Sequence, residues 1–363
     1  MAGRIVRHRR HDFGRSPGSA DSMGRAQKTR ESRGGLGSHQ RVNKYLELRE
    51  RRFHGALLET RFEKEGFAVV IHVILTCHNR KEKTINCIKT LKQGNPAQDL
   101  RFIVVDDAST DGTPEALLAL KNQGVYIDLL HGDGNLYWAG GMRKGISHVK
   151  NIIAREDADL VYEEKVDGKV VHKQNYAIIL VNDDVDFHPG ILDDVLSRPQ
   201  DRLYIGATVD EKGNFSYGGI RYHRNLLGQK DIHYDMIPPE AENRLCDTCN
   251  ANFLWIPGDI FMALPNIDPA YKHSLGDFDY GLTAGRAGYK LEVLDKYVGV
   301  CPDNPLQISW RNTELSRLER IQKKESIKGA PAGPWFHFLQ KNFGIGKALV
   351  YSATPYVRIM LGK

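Results

Sequence analysis

The 363-residue sequence predicts an α/β domain with a central, mostly parallel sheet flanked by helices. Three observations predict it. The run FAVVIHVIL, Phe67 to Leu75, is apolar and β-branched with one interruption, the pattern of a strand buried on both faces of a parallel sheet. Strand and helix patterns then alternate as β, α, β, α, β as far as Leu130, which calls for right-handed crossovers in a doubly wound sheet. Turn residues punctuate that alternation, and the ligand crevice of such a sheet lies beyond the carboxyl ends of its strands.

The elements follow in order. Thr84 to Gln93 reads as a helix, with Ile85, Ile88 and Leu91 at helical spacing, stopped by Gly94, Asn95 and Pro96. Arg101 to Val105 is the second strand. Asp111-Gly112-Thr113-Pro114 supplies a turn and a proline suited to a first helical position, so Pro114 to Asn122 is the second helix and Tyr126 to Leu130 the third strand. Gly145 to Arg155 is helical, and Glu163 to Lys173, with its central Asp-Gly, reads as an exposed hairpin. Tyr176 to Val181 is the next buried strand, with further strands at Tyr204 to Thr208 and Asn252 to Ile256 and a helix from about Phe278 to Gly288. Trp335 to Lys363 mixes aromatics, aliphatics and basic residues; it is expected to pack on the domain, the alternative being a membrane surface.

Three regions result: a basic leader over 1–65, expected to be poorly ordered, a catalytic domain over 66–310 and a helical, amphipathic extension over 311–363. The leader holds 16 Lys+Arg against 8 Asp+Glu, a charge of +8, so with +6 overall the other 298 residues carry 6 − 8 = −2. Its start, from Met1 to Gly37, has no apolar stretch of the secretory kind. Without interleaved aromatics or a folded motif, the leader is not read as nucleic-acid binding. No run approaches the eighteen or so apolar residues of a membrane span. Five cysteines are too few and too scattered for a disulfide framework, and Cys246-x-x-Cys249 has no second half for a zinc site. The expected location is the cytoplasm, with a peripheral position on the cytoplasmic membrane face left open, as is a homo-oligomer.

Three constellations carry chemistry. Thr76-Cys77-His78-Asn79-Arg80 follows the first strand and Asp106-Asp107-Ala108-Ser109-Thr110-Asp111-Gly112 the second, both at the expected crevice. Carboxylates there can accept hydrogen bonds from a nucleobase or ribose; the plainer reading is that Asp106 and Asp107 cap a turn. Asn182-Asp183-Asp184 follows the fourth buried strand. Adjacent carboxylates at such a place call for something positive between or above them, and a hard cation, Mg²⁺ or Mn²⁺, shared with diphosphate oxygens answers that call; an exposed turn is the competing reading. His273-Ser274-Leu275-Gly276-Asp277-Phe278-Asp279-Tyr280 opens a helix, where the dipole favours an ionised carboxylate fit to act as a base; Asp277 is the first candidate and Asp279 its competitor, against simple capping.

In this order the motifs TCHNR, DDASTDG, NDD and GDFDYGLTAGRAGY resemble those of family 2 glycosyltransferases, over roughly Val69 to Gly299. The resemblance implies the glycosyltransferase-A fold, a nucleotide-sugar donor, and a glycan or glycolipid acceptor. It implies that Thr76, His78, Asn79, Arg80, Asp106 and Asp107 serve the nucleotide, that Asp183 lies beside the donor, that Asp184 ligates the metal, and that Asp277 deprotonates the acceptor in an inverting transfer. Gly134 to Arg143 resembles the Gly/Asn-rich loop of rhamnosyltransferase-like members, which adds Asn135, Trp138, Gly140, Gly141 and Arg143 to the donor side. Trp138 would stack on a sugar or belong to the core. Two departures stand out: the family usually has Glu-Asp where this chain has Gly276-Asp277, and often Arg near Gly285. A dTDP- or UDP-sugar donor and polysaccharide or lipid-linked glycan synthesis are the expectation. A nucleotidyltransferase and an inactive binding protein of the same fold are the alternatives; TCHNRKEK lacks the glycine-rich phosphate loop of the first, and retention of NDD and Asp277 argues against the second.

Overall fold

The computed structural model describes residues 69–166, 169–302 and 309–363. The leader expected over 1–65 lies outside them. Strand β1 (Val70–Cys77) is buried almost throughout and pairs in parallel with β2 (Asp99–Asp106), which pairs in parallel with β3 (Ile127–His131). Helices α1 (Lys81–Gly94) and α2 (Thr113–Asn122) make the crossovers, each burying the apolar positions that its periodicity marks, among them Ile88 and Leu91 on the first and Leu117 and Leu120 on the second.

Helix α3 (Tyr137–Leu160) is longer than its sequence pattern suggests, since it begins at Tyr137 rather than Gly145. The Gly-rich stretch that opens it is therefore loop only as far as Leu136. The small residues have a packing reason: a Cβ on Gly141 would lie 2.2 Å from Thr76 Oγ1, and one on Gly145 would lie 2.4 Å from Ile74 Cγ2. Glycine lets this helix lie directly on β1. The expected hairpin is present as β4 (Val161–Val166) and β5 (Lys169–Gln174), an antiparallel pair.

Strand β6 (Tyr176–Val181) returns beside β1 in parallel. After it come the short β7 (Asp186–Phe187), helix α4 (Ile191–Leu196), β8 (Leu203–Val209), β9 (Phe215–Tyr217), β10 (Gly219–Arg224), β11 (Lys230–Ile237), β12 (Leu245–Cys246) and β13 (Thr248–Cys249). Strand β14 (Phe253–Pro257) is antiparallel to both neighbours, and with β15 (Leu291–Val300) the main sheet runs β12-β15-β8-β14-β6-β1-β2-β3. Reversal of β14 places its first residue, Phe253, opposite the last residue of β6, Val181. Two apolar layers cover the faces, one containing Ile74, Ile178 and Leu254 under α3, the other Val73, Ile179 and Trp255 under α1 and α4.

Helix α5 (Gly258–Ala263) and α6 (Gly276–Arg286) complete the domain. The C-terminal extension is helical: α7 (Arg317–Glu325), α8 (Ala332–Phe343) and α9 (Ile345–Met360). Helix α7 starts with a capping box between Ser316 and Glu319. No helix among the described residues is long and apolar enough to cross a membrane.

Candidate functional site

The carboxyl ends of β1, β2 and β6 converge with the start of β14 and with the first turn of α6. There a cavity of about 350 Å³ is lined by Trp138, Asn182, Asp184, Asn252, His273 and Asp277, among others. The backbone is forced at this end of the sheet. Asn79, Ala108, Tyr137 and Leu275 all adopt positive φ, between 51° and 73°, a region that costs a non-glycine residue about 1–2 kcal/mol.

Asp107 organises the loops at this end of the sheet. Its Oδ1 accepts from the Gly134 N–H at 2.8 Å and its Oδ2 from the Tyr137 N–H at 2.9 Å, so it ties the third loop to the second and serves the otherwise orphaned amides at the start of α3. Asp106 accepts from the Ser109 N–H at 3.1 Å and lies 3.6 Å from the Cys77 thiol. Both carboxylates are buried, and their oxygens hold the loops together. His78 Nδ1 sits 2.6 Å from the Asp107 carbonyl oxygen, and Asn79 is tied to Ser109 and Thr110. Thr76 donates to the Val105 carbonyl at 3.1 Å. Asn135 is exposed and its N–H turns back on Asp133.

Arg80 occupies the place where the sequence called for positive charge. Its guanidinium lies 3.0 Å from Asp183 Oδ1 and 2.5 Å from Asp184 Oδ2, and Thr84 donates to Asp183 at 3.2 Å. Burial pushes the Asp183 carboxyl up to about 6, against the pull of Arg80. Burial also works against the guanidinium charge, but the two carboxylates outweigh it and raise the pKa above the ordinary value for arginine. The other oxygen of Asp184 has the Cys301 sulfur 3.8 Å away. Among the described residues no three His, Cys, Asp or Glu side chains group as a ready-made metal site. Arg80 is the cation that meets both carboxylates here, so a metal ion at this place would find Asp184 as one hard oxygen ligand and would need its other ligands from outside the chain.

Asn182 links the two halves of the cavity. It accepts from the Trp138 indole N–H at 2.7 Å and donates to Asn252 Oδ1 at 2.5 Å. The indole nitrogen is thus satisfied while the ring lines the cavity. Gly140 packs on Leu136, and Arg143 donates to the carbonyl oxygens of Asp268 and Tyr271, away from the cavity.

The two acidic residues of α6 part company. Asp277 lines the cavity and accepts from the N–H groups of Phe278 at 2.9 Å and Ala251 at 3.4 Å, with no cationic partner among the described residues; burial pushes its carboxyl up to about 6. Asp279 points to the other side, bonded to Lys341 at 2.7 Å and Asn342 at 3.0 Å, and so pins α8 to α6. Gly276 explains the missing glutamate: a Cβ there would lie 2.9 Å from Ala139 Cβ and 3.4 Å from the Trp138 ring. Helices α3 and α6 approach too closely for a side chain.

His273, Asn250, Asn252, Ser274, Tyr217 and Cys301 also line the cavity and were assigned no role from sequence. Among the described residues, His273 Nδ1 and Asn252 Nδ2 are buried and meet no hydrogen-bond partner, so they are free to meet a ligand's polar groups. The one signal available was position: Asn250 and Asn252 immediately precede an apolar strand, and His273 precedes a helix start.

Residues 72–187, which run from β1 to β7, match the family described as Glycosyl transferase family 2. No curated protein matches the chain. Among solved structures, it is similar to the mannosyltransferase PcManGT from Pyrobaculum calidifontis in complex with GDP-Man and Mn²⁺, at 11% identity over 90% of this chain and 82% of that one, TM-score 0.44. It is similar also to S. aureus TarS 1–349 in complex with UDP, at 12% identity over 80% of each chain, TM-score 0.44. The matched segment carries β1, β2, β3 and β6 of the central, mostly parallel sheet and the helices between them.

Proposed function

With residues 72–187 a family 2 glycosyltransferase segment, we propose that this chain is an inverting transferase that moves a sugar from a nucleotide-sugar donor to a glycan or lipid-linked glycan acceptor. The observation that carries the reading is Asp277: a carboxylate on the cavity wall, paired with no cation among the described residues, held by two backbone amides and pushed up to about 6. A general base works best near the operating pH, and burial brings this one toward it.

In the proposed reaction the acceptor hydroxyl gives its proton to the Asp277 carboxylate as its oxygen bonds to the anomeric carbon. The bond from that carbon to the diphosphate oxygen breaks with its electron pair, and the nucleoside diphosphate leaves. A single displacement inverts the anomeric centre and needs no sugar-enzyme intermediate. Asp184 would hold a divalent ion, Mg²⁺ or Mn²⁺, which when bound neutralises charge on the departing diphosphate. Arg80 lies on both carboxylates and is placed to follow the same charge. Trp138, fixed through its N–H, offers its face to a sugar ring.

The donor is proposed as a dTDP- or UDP-sugar. A panel of UDP-, dTDP- and GDP-sugars with and without Mn²⁺, read by thermal unfolding, tests this. A donor at a hundred times its Kd stabilises by about 2.7 kcal/mol, and no response to any donor at such concentrations would sink the transferase reading.

A further inference from the structure

A relay of amide groups fixes what Asn252 has left to offer. The Trp138 indole N–H can only donate, so Asn182 turns its Oδ1 to it at 2.7 Å and its Nδ2 to Asn252. Asn252 answers with Oδ1, which leaves its own Nδ2 a donor without an acceptor among the described residues. That residue is 2% exposed and lines the cavity. Because the relay starts at an atom whose role is chemically fixed, neither amide can be turned round without setting donor against donor.

His273 is the second unsatisfied group. Its ring stands edge-on to Tyr137, centroids 6.3 Å apart, and among the described residues its buried Nδ1 has no hydrogen-bond partner. Burial pushes the imidazole down to about 4, so near pH 7 the ring is neutral, with one nitrogen to donate and one to accept. Both residues belong to the segments that position Asp277. Asn252 follows Ala251, whose N–H donates to Asp277 at 3.4 Å, and His273 stands four residues before Asp277 at the entry to α6. Buried polar atoms without partners are rare in folded proteins, and two in one cavity mark where a ligand completes the set.

The charge of the lining narrows the ligand. Among the described residues the cavity is lined by three asparagines, two aspartates and neither lysine nor arginine. Asp184 is answered by Arg80 from behind, and Lys328 acts on the His273 ring without lining the cavity. A carboxylate on an entering ring would be desolvated near Asp277 with no cation on the lining to meet it. A hydroxyl can accept from Asn252, and another can donate to or accept from His273, while Phe278 offers an apolar face to the C–H side of the ring.

We infer that the acceptor ends in a neutral, hydroxyl-bearing sugar, and that Asn252 and His273 read the hydroxyls next to the one presented to Asp277. A terminal ring that carries a carboxylate does not suit this place. The inference rests on the transferase reading, since it takes Asp277 as the base.

The test is saturation-transfer NMR of the full chain with the methyl glycosides of glucose, galactose, mannose and rhamnose and of glucuronate and galacturonate, with donor binding titrated separately. At least one neutral glycoside should bind, and the uronates more than about tenfold more weakly. His273→Phe, which keeps an aromatic edge toward Tyr137 and removes Nδ1, should weaken that glycoside about 3- to 10-fold. His273→Asn, whose amide reaches the place of Nδ1, should restore most of the affinity, and donor affinity should hold within about twofold in both. His273→Ala reads the same loss if phenylalanine prevents folding. Uronates that bind as well as the neutral glycosides would overturn the inference, as would a folded His273→Phe or His273→Ala chain with full glycoside affinity, or a wild type that binds donor and no glycoside. A donor affinity that falls together with the glycoside affinity would assign His273 to the donor and overturn it too. Failure of the transferase reading looks different: no donor binds, whatever the glycosides do, and the inference falls with it.

Discussion

The Arg80 guanidinium meets the Asp184 carboxylate at 2.5 Å across a separation of 104 residues, and the same guanidinium lies 3.0 Å from Asp183. One cation thus balances two adjacent acids, a task that the sequence assigns equally well to a metal ion. Arg80→Met should destabilise the protein by about 1–3 kcal/mol, less than for a fully buried pair because the Arg80 side chain is 38% exposed. Mn²⁺ should then recover part of the lost melting temperature in the variant and change the wild type less. A variant indifferent to Mn²⁺ would show that Asp184 does not hold a cation without donor.

Asp277→Asn should lower turnover by about 10²–10⁴-fold with donor binding kept, measured by transfer assay and by titration of nucleotide-sugar. For the wild type, kcat should rise as pH passes about 6 and level off above it.

The same residue makes a stability prediction of opposite flavour. Asp277 holds its proton more tightly folded than unfolded, so its contribution declines as pH climbs from the ordinary carboxylate range of about 4 to about 6. Asp277→Asn should therefore raise the melting temperature at pH 8, by at most about 3 kcal/mol of stability, and make little difference at pH 4. A lower melting temperature at pH 8 would show that the carboxylate is needed for structure.

Asp279→Asn should cost about 1–2 kcal/mol by weakening the contacts to Lys341 and Asn342, since the asparagine keeps the volume and loses the charge. Turnover should stay within a few-fold at a temperature where the variant is folded. Loss of turnover in the folded variant would move the base from Asp277 to Asp279.

Gly276→Ala should destabilise by about 1–3 kcal/mol through overpacking against Ala139, and the combination with Ala139→Gly should recover part of that. Restoring the family's glutamate with Gly276→Glu should be worse than alanine. Additive losses in the double variant would remove the steric account.

The buried strands could be read from sequence because a strand covered on both faces is apolar throughout, and Tyr176 to Val181 or Val70 to Leu75 have no other use for such a run. The turn after β2 was legible for the same local reason. What stayed hidden depends on distance along the chain. Nothing near Arg80 announces Asp184, and nothing near Asp107 announces the amides of Gly134 and Tyr137 that it serves. Gly140 and Gly141 read as part of a Gly/Asn-rich loop open to close approach by a donor, because glycine signals freedom and close packing in the same letter; for Gly141 the packing shows in the 2.2 Å that would separate an added Cβ from Thr76 Oγ1. Asp277 and Asp279 were indistinguishable at the level of helix dipole and capping, and are told apart by what lies opposite each.

The reversed strand β14 has a consequence for how such a protein can change over time. Because it enters the crevice from its beginning, Ala251 and Asn252 arrive on a chain segment separate in sequence from the one that ends in Asn182 to Asp184, and the β14–β6 ladder and the Asn182–Asn252 amide contact stitch the two together. One pocket is thus assembled from two separately replaceable cassettes. Exchange of residues downstream of β7 between relatives would alter the Asn252, His273 and Asp277 side of the pocket and leave the Asn182 to Asp184 side in place.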